Sequence, residues 1–237
     1  MGCWKLSGKV TDTTISYGIG VLGMPGSTAY GGLIDILRPK QGETIFISAA
    51  SGAVGSLVGL IAKNIFNCTV IGSCGGPQKC EIVTKELGFD HVIDYKLPEN
   101  CSAEGLANSL KAVAPDGIDM YFENVGGIHF EAAMANLRAG GRVAVCGAIS
   151  EYNQAAPPQL VIKSVANMIY KAQRVEGFVC MPWLFQQKGN FHEDMYQWLS
   201  EGKVVVKESF FHGIESWPTA FRALFTGENI GKVVVKV

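Results

Sequence analysis

Between Thr44 and Ser56 the sequence Thr-Ile-Phe-Ile-Ser-Ala-Ala-Ser-Gly-Ala-Val-Gly-Ser passes from a short apolar run, through a glycine turn, into a second apolar stretch. Thr44 to Ser48 is rich in β-branched and aromatic residues, which predicts a strand. Ala53 to Phe66 carries apolar residues at helical spacing, which predicts a helix. The turn between them has the form Ala49-x-x-Gly52-x-x-Gly55. Gly52 lets the backbone approach a pyrophosphate and Gly55 lets helix and strand pack closely, while the helix N-terminus turns free N–H groups and a positive dipole end towards the phosphates. Ala49 performs the first glycine's role less permissively. Such glycine patterns also occur in ordinary tight turns, so it is the flanking strand and helix that point to a dinucleotide site through Gly52, Ala53, Val54 and Gly55.

The remaining elements repeat the strand–helix alternation. Met1 to Ser16 reads as a tail, and from Tyr17 a glycine-rich bend leads to Ser27, predicted to cap a helix that runs to Leu37 and is stopped by Pro39. Strands are expected at Thr69 to Ser73, His91 to Tyr95, Ile118 to Glu123, Arg142 to Cys146 and Arg174 to Cys180. Helices are expected at Gln78 to Leu87, Ser102 to Val113, Phe130 to Leu137 and Gln159 to Ala172, with a turn at Gly140-Gly141. This is the pattern of an α/β fold, a doubly wound parallel Rossmann sheet over residues 17–182. Residues 183–237, with helices at His192 to Leu199 and Trp217 to Phe225 and strands at Lys203 to Phe211 and Lys232 to Val237, fall outside that core and read as a C-terminal segment in which the chain returns to a second domain, leaving remnant elements of it. Ala155 to Pro158 is the one linker-like stretch.

In an open sheet of this kind the ligand crevice lies at the carboxyl ends of the strands. A carboxylate at the end of the second strand would hydrogen-bond the adenosine ribose; the sequence there is Gly72-Ser-Cys-Gly-Gly76, followed by Lys79. Donors and a cation in place of an acceptor favour a 2′-phosphate, hence NADP(H), with Lys79 as its partner; a lysine that merely solvates a helix start is the other reading. Tyr95 ends the third strand and either meets the adenosine or is a surface aromatic. Asn124-Val-Gly-Gly127 and Gly147 to Asn153 are further polar strand-end loops, and the first is open enough to lie against a nicotinamide ring.

Composition closes other routes. The net charge is −1 and charged residues make up 17% of the chain, which leaves no electrostatic footprint for nucleic acid or an acidic membrane. No apolar run approaches the roughly 20 residues that span a bilayer, and Met1 to Val10 holds no signal core. The seven cysteines form no C-x-x-C pair, and their odd count fits free thiols in a cytoplasmic, reducing setting, without structural metal. Cys68, Cys74 and Cys80 are evenly spaced, yet are expected on a strand, a loop and a helix start, with no joint role.

Five segments in order, Gly23-Met-Pro-Gly-x-Thr-Ala-Tyr30, Ala49 to Ser56, Phe122-Glu-Asn-Val-Gly-Gly127, Cys146-Gly-Ala-Ile-Ser-x-Tyr-Asn153 and Gly227-Glu-Asn-Ile-Gly-Lys232, resemble the zinc-independent prostaglandin reductase, or alkenal/one oxidoreductase, branch of the medium-chain dehydrogenase/reductases. The resemblance runs from about Tyr17 to the C-terminus. It implies NADPH-dependent reduction of the carbon–carbon double bond of α,β-unsaturated ketones and aldehydes, 15-oxo-prostaglandins included. It places cofactor contacts on Gly52 to Gly55, Lys79, Tyr95, Asn124, Cys146, Gly147, Ala148, Ile149, Ser150, Tyr152, Phe178, Val179, Cys180 and Asn229. It makes Tyr152 the donor to the substrate carbonyl, with packing of the nicotinamide loop as the plainer role. His129, His192 and His212 are expected on helix surfaces, away from strand ends. Family members begin with a GroES-like barrel of about a hundred residues that walls the substrate pocket, where this sequence has only residues 1–16. Two outcomes follow: a working enone reductase, or an inactive NADPH-binding and dimerising fragment. The family's dimer edge corresponds to Val175 to Cys180. Zinc-dependent alcohol oxidation ranks third, its ligands belonging to the barrel.

Overall fold

The computed structural model describes residues 12–153, 165–186 and 188–237. Thr44–Ile47 form β1, Thr69–Cys74 β2, His91–Asp94 β3, Ile118–Glu123 β4, Leu137–Val145 β5 and Arg174–Gly177 β6. They make one parallel sheet in the order β3-β2-β1-β4-β5-β6. The central strands are unbroken apolar runs because both faces are covered. Alternation along β1 sends Ile45 and Ile47 to one core and Phe46 to the other. On the first face Ile47 shares a buried cluster with Leu33, Leu57, Ile61 and Phe122; on the second, Phe46 shares one with Ile71, Leu106, Leu110 and Phe130. Phe46 stacks on Tyr121 of β4 at 5.2 Å between ring centroids, a pair worth about 1 kcal/mol beyond its burial. The strand order reverses between β1 and β4, which opens the crevice above their carboxyl ends.

The helices α1 (Met24–Gly31), α2 (Gly55–Asn64), α3 (Pro77–Lys85), α4 (Ala103–Val113), α5 (Ile128–Asn136), α6 (Val165–Tyr170) and α7 (Met181–Phe185) accompany the sheet. The first helix begins three residues before the predicted cap. Pro25 suits its first turn, and Ser27, instead of capping, donates its hydroxyl to the Met24 carbonyl at 3.1 Å. From Gly32 to Leu37 the helix widens to π pitch and closes on Arg38, left-handed at φ 52°, before Pro39. Ser102 caps α4 as its sequence suggests, accepting the Gly105 N–H at 3.0 Å. Gly140-Gly141, expected as a turn, lies inside β5 as an irregularity between the pairs Ile118–Leu137 and Met120–Arg142. Of the helix expected from Gln159, residues 159–164 lie outside the described residues, as do Ala155 to Pro158 and residues 1–11. The unanticipated α7 buries Trp183 and Leu184 in five residues, too short for a period to register.

The C-terminal segment adds α8 (Phe191–Ser200), β7 (Glu208–His212), α9 (Trp217–Thr226) and β8 (Lys232–Lys236), with β7 and β8 paired in parallel apart from the main sheet. The predicted strand from Lys203 starts only at Glu208, because the Lys203 and Val204 N–H groups close α8 on the Trp198 carbonyl. Helix α9 buries Ala220 and Ala223 and leaves Trp217, Phe221, Leu224 and Phe225 exposed.

Candidate functional site

The glycine turn leaves β1 through Ala49, whose φ of 51° is the left-handed conformation a glycine adopts without strain. A Cβ on Gly55 would stand 2.4 Å from the Ala49 carbonyl oxygen, so this glycine is required by the close approach of α2 to β1. Gly52, Ala53 and Val54 form the partly exposed rim from which α2 springs. The C-terminal segment closes over that rim: Gly231 pairs with Gly52 in an isolated bridge, its N–H donates to the Ser51 carbonyl at 2.7 Å, and Asn229 Nδ2 donates to the Gly231 carbonyl at 3.1 Å.

The neighbouring corner is built at the ends of β2 and β3. The Ala50 N–H donates to the Ser73 carbonyl at 2.9 Å, which ties the glycine turn to β2. Asp94 Oδ1 accepts from the N–H groups of Gly76 and Lys96, so the carboxylate at the end of β3 is committed to the backbone. Lys79, half-buried in the first turn of α3, has no carboxylate or hydrogen-bond partner among the described residues, and its Nζ stands 3.9 Å from where a Gly227 Cβ would be. Burial lowers its pKa, countered in part by Cys74. The Tyr95 hydroxyl lies 2.8 Å from the Cβ position of Gly75, and its ring meets His129 edge-on at 5.3 Å. Burial raises the Tyr95 pKa. Lys79 and Tyr95 therefore flank one corner.

The third group gathers at β4 and β5. Asn124 donates its N–H to Ser48 Oγ at 2.9 Å and its Nδ2 to the Ser48 carbonyl at 2.7 Å. Ser48 in turn donates to Glu123 Oε1 at 3.0 Å, which also accepts the Val125 N–H at 2.6 Å. Burial raises the Glu123 pKa against these hydrogen bonds. The Cys146 thiol donates to Asn124 Oδ1 at 3.1 Å, and burial pushes it up to about 12. Gly147 and Ile149 donate backbone N–H groups to the Glu123 and Asn124 carbonyls, and Ser150 donates its N–H and hydroxyl to the Val125 carbonyl. Tyr152 folds back so that its hydroxyl accepts the Ala148 N–H at 3.1 Å, with the ring 63% exposed. The Phe178 ring packs inward on Phe122 and Trp183, while Val179 faces solvent and Cys180 stands at the cap position just before α7.

Two buried polar residues that organise this group, Ser48 and Glu123, carry no signal beyond their place at strand ends. The histidines depart from expectation. His129 is 3% exposed with neither ring nitrogen partnered among the described residues, and burial lowers its pKa to about 4. His212 ends β7, exposed and in the smaller sheet. The cysteines also depart: Cys74 is the last residue of β2, and its Sγ lies 3.3 Å from that of Cys80. Among the described residues no three His, Cys, Asp or Glu side chains gather as metal ligands, and no helix is long and apolar enough to cross a membrane.

A sheet in this order, with a glycine turn at the switch point and polar loops at the neighbouring strand ends, defines a dinucleotide-binding α/β fold of the dehydrogenase type. Residues 53–201, more than half the chain, match the zinc-binding dehydrogenase family, and the chain belongs to it, in the prostaglandin reductase and alkenal/one oxidoreductase branch. It is 44% identical over 226 residues to the NADP(+)-dependent 2-alkenal reductase of Nicotiana tabacum, covering 95% of this chain and 63% of that protein. Prostaglandin reductase 1 of Mus musculus is 43% identical, covering 94% and 65%. The crystal structure of CurA from Vibrio vulnificus in complex with NADPH superposes with a TM-score of 0.86 at 42% identity, over 97% of this chain and 67% of that one. The chain thus spans about two thirds of the length of the relatives it matches.

Proposed function

We propose that this chain binds NADPH and reduces the carbon–carbon double bond of α,β-unsaturated ketones and aldehydes, with 15-oxo-prostaglandins among its substrates. The observation that carries the reading is Lys79: a half-buried cation, unpartnered among the described residues, in the first turn of α3 just beyond β2, a strand whose own end carries no carboxylate. That corner fits a 2′-phosphate and disfavours a bare ribose. Gly52 to Gly55 and the first turn of α2 would receive the pyrophosphate, Asn229 would flank it, and Asn124 with the loop from Cys146 to Ser150 would hold the nicotinamide, bordered by Phe178 to Cys180.

The bound dinucleotide supplies a hydride to the β-carbon of the enone. The protein's task is to meet the negative charge that builds on the carbonyl oxygen. Because the Tyr152 oxygen already accepts the Ala148 N–H, its own O–H proton remains for the substrate, as donor to the enolate oxygen. Asn124, fixed to Ser48, orients the ring that faces that oxygen. The chain is proposed to work in the cytoplasm, with a homodimer formed along the β6 edge.

A second reading, a non-catalytic NADPH-binding module, is favoured by the exposure of Tyr152 at 63% and by the exposed apolar face of α9. Hydride transfer needs the substrate held still and water kept out. The two separate in one experiment: NADPH oxidation with a small enone and with a 15-oxo-prostaglandin, beside NADPH binding followed by fluorescence. Turnover that falls at least tenfold in Tyr152→Phe establishes the reductase. Binding without turnover establishes the module, and absence of binding overturns both.

A further inference from the structure

Cys74 and Cys80 are the one thiol pair in hydrogen-bond contact among the described residues. They come from different elements, the last residue of β2 and the first turns of α3, joined by Gly75-Gly76-Pro77. Their Sγ atoms are 3.3 Å apart, against about 2.05 Å in a disulfide. Cys74 is buried at 1% exposure, whereas Cys80 is partly open to solvent. Gly76, at φ 94°, gives the connecting loop a residue that tolerates rotation. Lys79 immediately precedes Cys80, and its charge is close enough to Cys74 for each to feel the other.

We infer that Cys74 and Cys80 are a redox-active dithiol that closes to an intrachain disulfide under hydroperoxide, and that closure weakens NADPH binding by displacing Lys79. The second half rests on the cofactor reading above; the first does not. The reaction begins at the accessible sulfur. Burial raises the Cys80 pKa, but the contact with Cys74 acts the other way, while Cys74 is raised by both. The Cys80 thiolate attacks the peroxide, the O–O bond breaks, and Cys80 becomes a sulfenic acid as water leaves. Cys74 sulfur then attacks Cys80 sulfur, the S–O bond breaks, and a second water departs with the Cys74 proton. Two thiols and one hydrogen peroxide give one disulfide and two waters; a dithiol reductant reverses the change. Drawing Cys80 onto β2 turns the start of α3 and carries the neighbouring Lys79 away from the Gly227 turn.

The sequence makes the test direct. Trypsin cuts after Lys63, Lys79 and Lys85, so it separates the two cysteines onto peptides 64–79 and 80–85. The full chain is reduced, exposed to hydrogen peroxide, alkylated and digested. The expected product is these two peptides joined, with fragmentation assigning the bond to Cys74 and not to Cys68, and with the link absent from Cys80→Ser and Cys74→Ala. NADPH titrated by fluorescence should bind the oxidised chain about tenfold more weakly than the reduced chain, with no such change in Cys80→Ser. Failure of the peptides to join under peroxide that oxidises the exposed Cys101 overturns the dithiol. Joined peptides with unchanged affinity overturn the coupling. A reduced chain that binds no NADPH overturns the cofactor reading instead, leaving the peptide result to judge the disulfide.

Discussion

Asn124 is held to Ser48 at two points, its backbone N–H on the serine hydroxyl at 2.9 Å and its side-chain amide on the serine carbonyl at 2.7 Å. The pair joins the ends of β1 and β4 where the strand order reverses, so the asparagine projects from a backbone that cannot swing. Asn124→Ala should raise the KM for NADPH about tenfold, the order expected for losing one or two buried hydrogen bonds, and Ser48→Ala should do so about as strongly although it lies beneath the site. Steady-state kinetics with varied NADPH checks both.

Lys79 should set the choice between the two dinucleotides. Removing the charge in Lys79→Met takes away a charge-assisted contact worth about 1.5–3 kcal/mol, so NADPH affinity should fall roughly 10- to 100-fold while NADH affinity stays within about twofold. Paired fluorescence titrations measure the ratio, and an equal loss for both cofactors would refute the assignment.

His129 should make the fold acid-sensitive. Its pKa is near 4 in the folded chain, against about 6.5 when unfolded, so the unfolded state binds the extra proton between these values. The contribution is complete above pH 6.5, falls as pH drops through the window, and is exhausted below pH 4. By pH 5 the loss is about 2 kcal/mol. Urea unfolding of the native chain and of His129→Phe at pH 7 and pH 5 should show a smaller decline in the variant.

Gly55→Ala should destabilise, because the added methyl would stand 2.4 Å from the Ala49 carbonyl oxygen in a well-packed turn. About 1–3 kcal/mol is expected, read as a lower urea midpoint at unchanged slope.

The parts of this protein legible in its sequence are those governed by local pattern. The apolar runs of β1, β2 and β4 and the glycine turn announce the sheet, and strand-end logic singles out Lys79, Tyr95 and Asn124 as candidates before any geometry. What escapes has a non-local cause. Ser48 and Glu123 look like ordinary polar boundaries until the fold joins them. Gly140-Gly141 resembles a turn, although neighbouring β4 holds it within a strand. The contact between Cys74 and Cys80 crosses from strand to helix, so neither period reveals it. His129 shows how a polar residue is buried when a helix faces the sheet: its amphipathic pattern gives no warning that one ring lies against Tyr95.

The bridge between Gly52 and Gly231 places the rim of the glycine turn under the control of residues near the far end of the chain. During synthesis, the strands and helices of the sheet leave the ribosome long before Gly231 does. A nascent chain would therefore assemble the strands and helices of its Rossmann core before the bridge between Gly52 and Gly231 can close, leaving the rim of the glycine turn open until Gly231 follows.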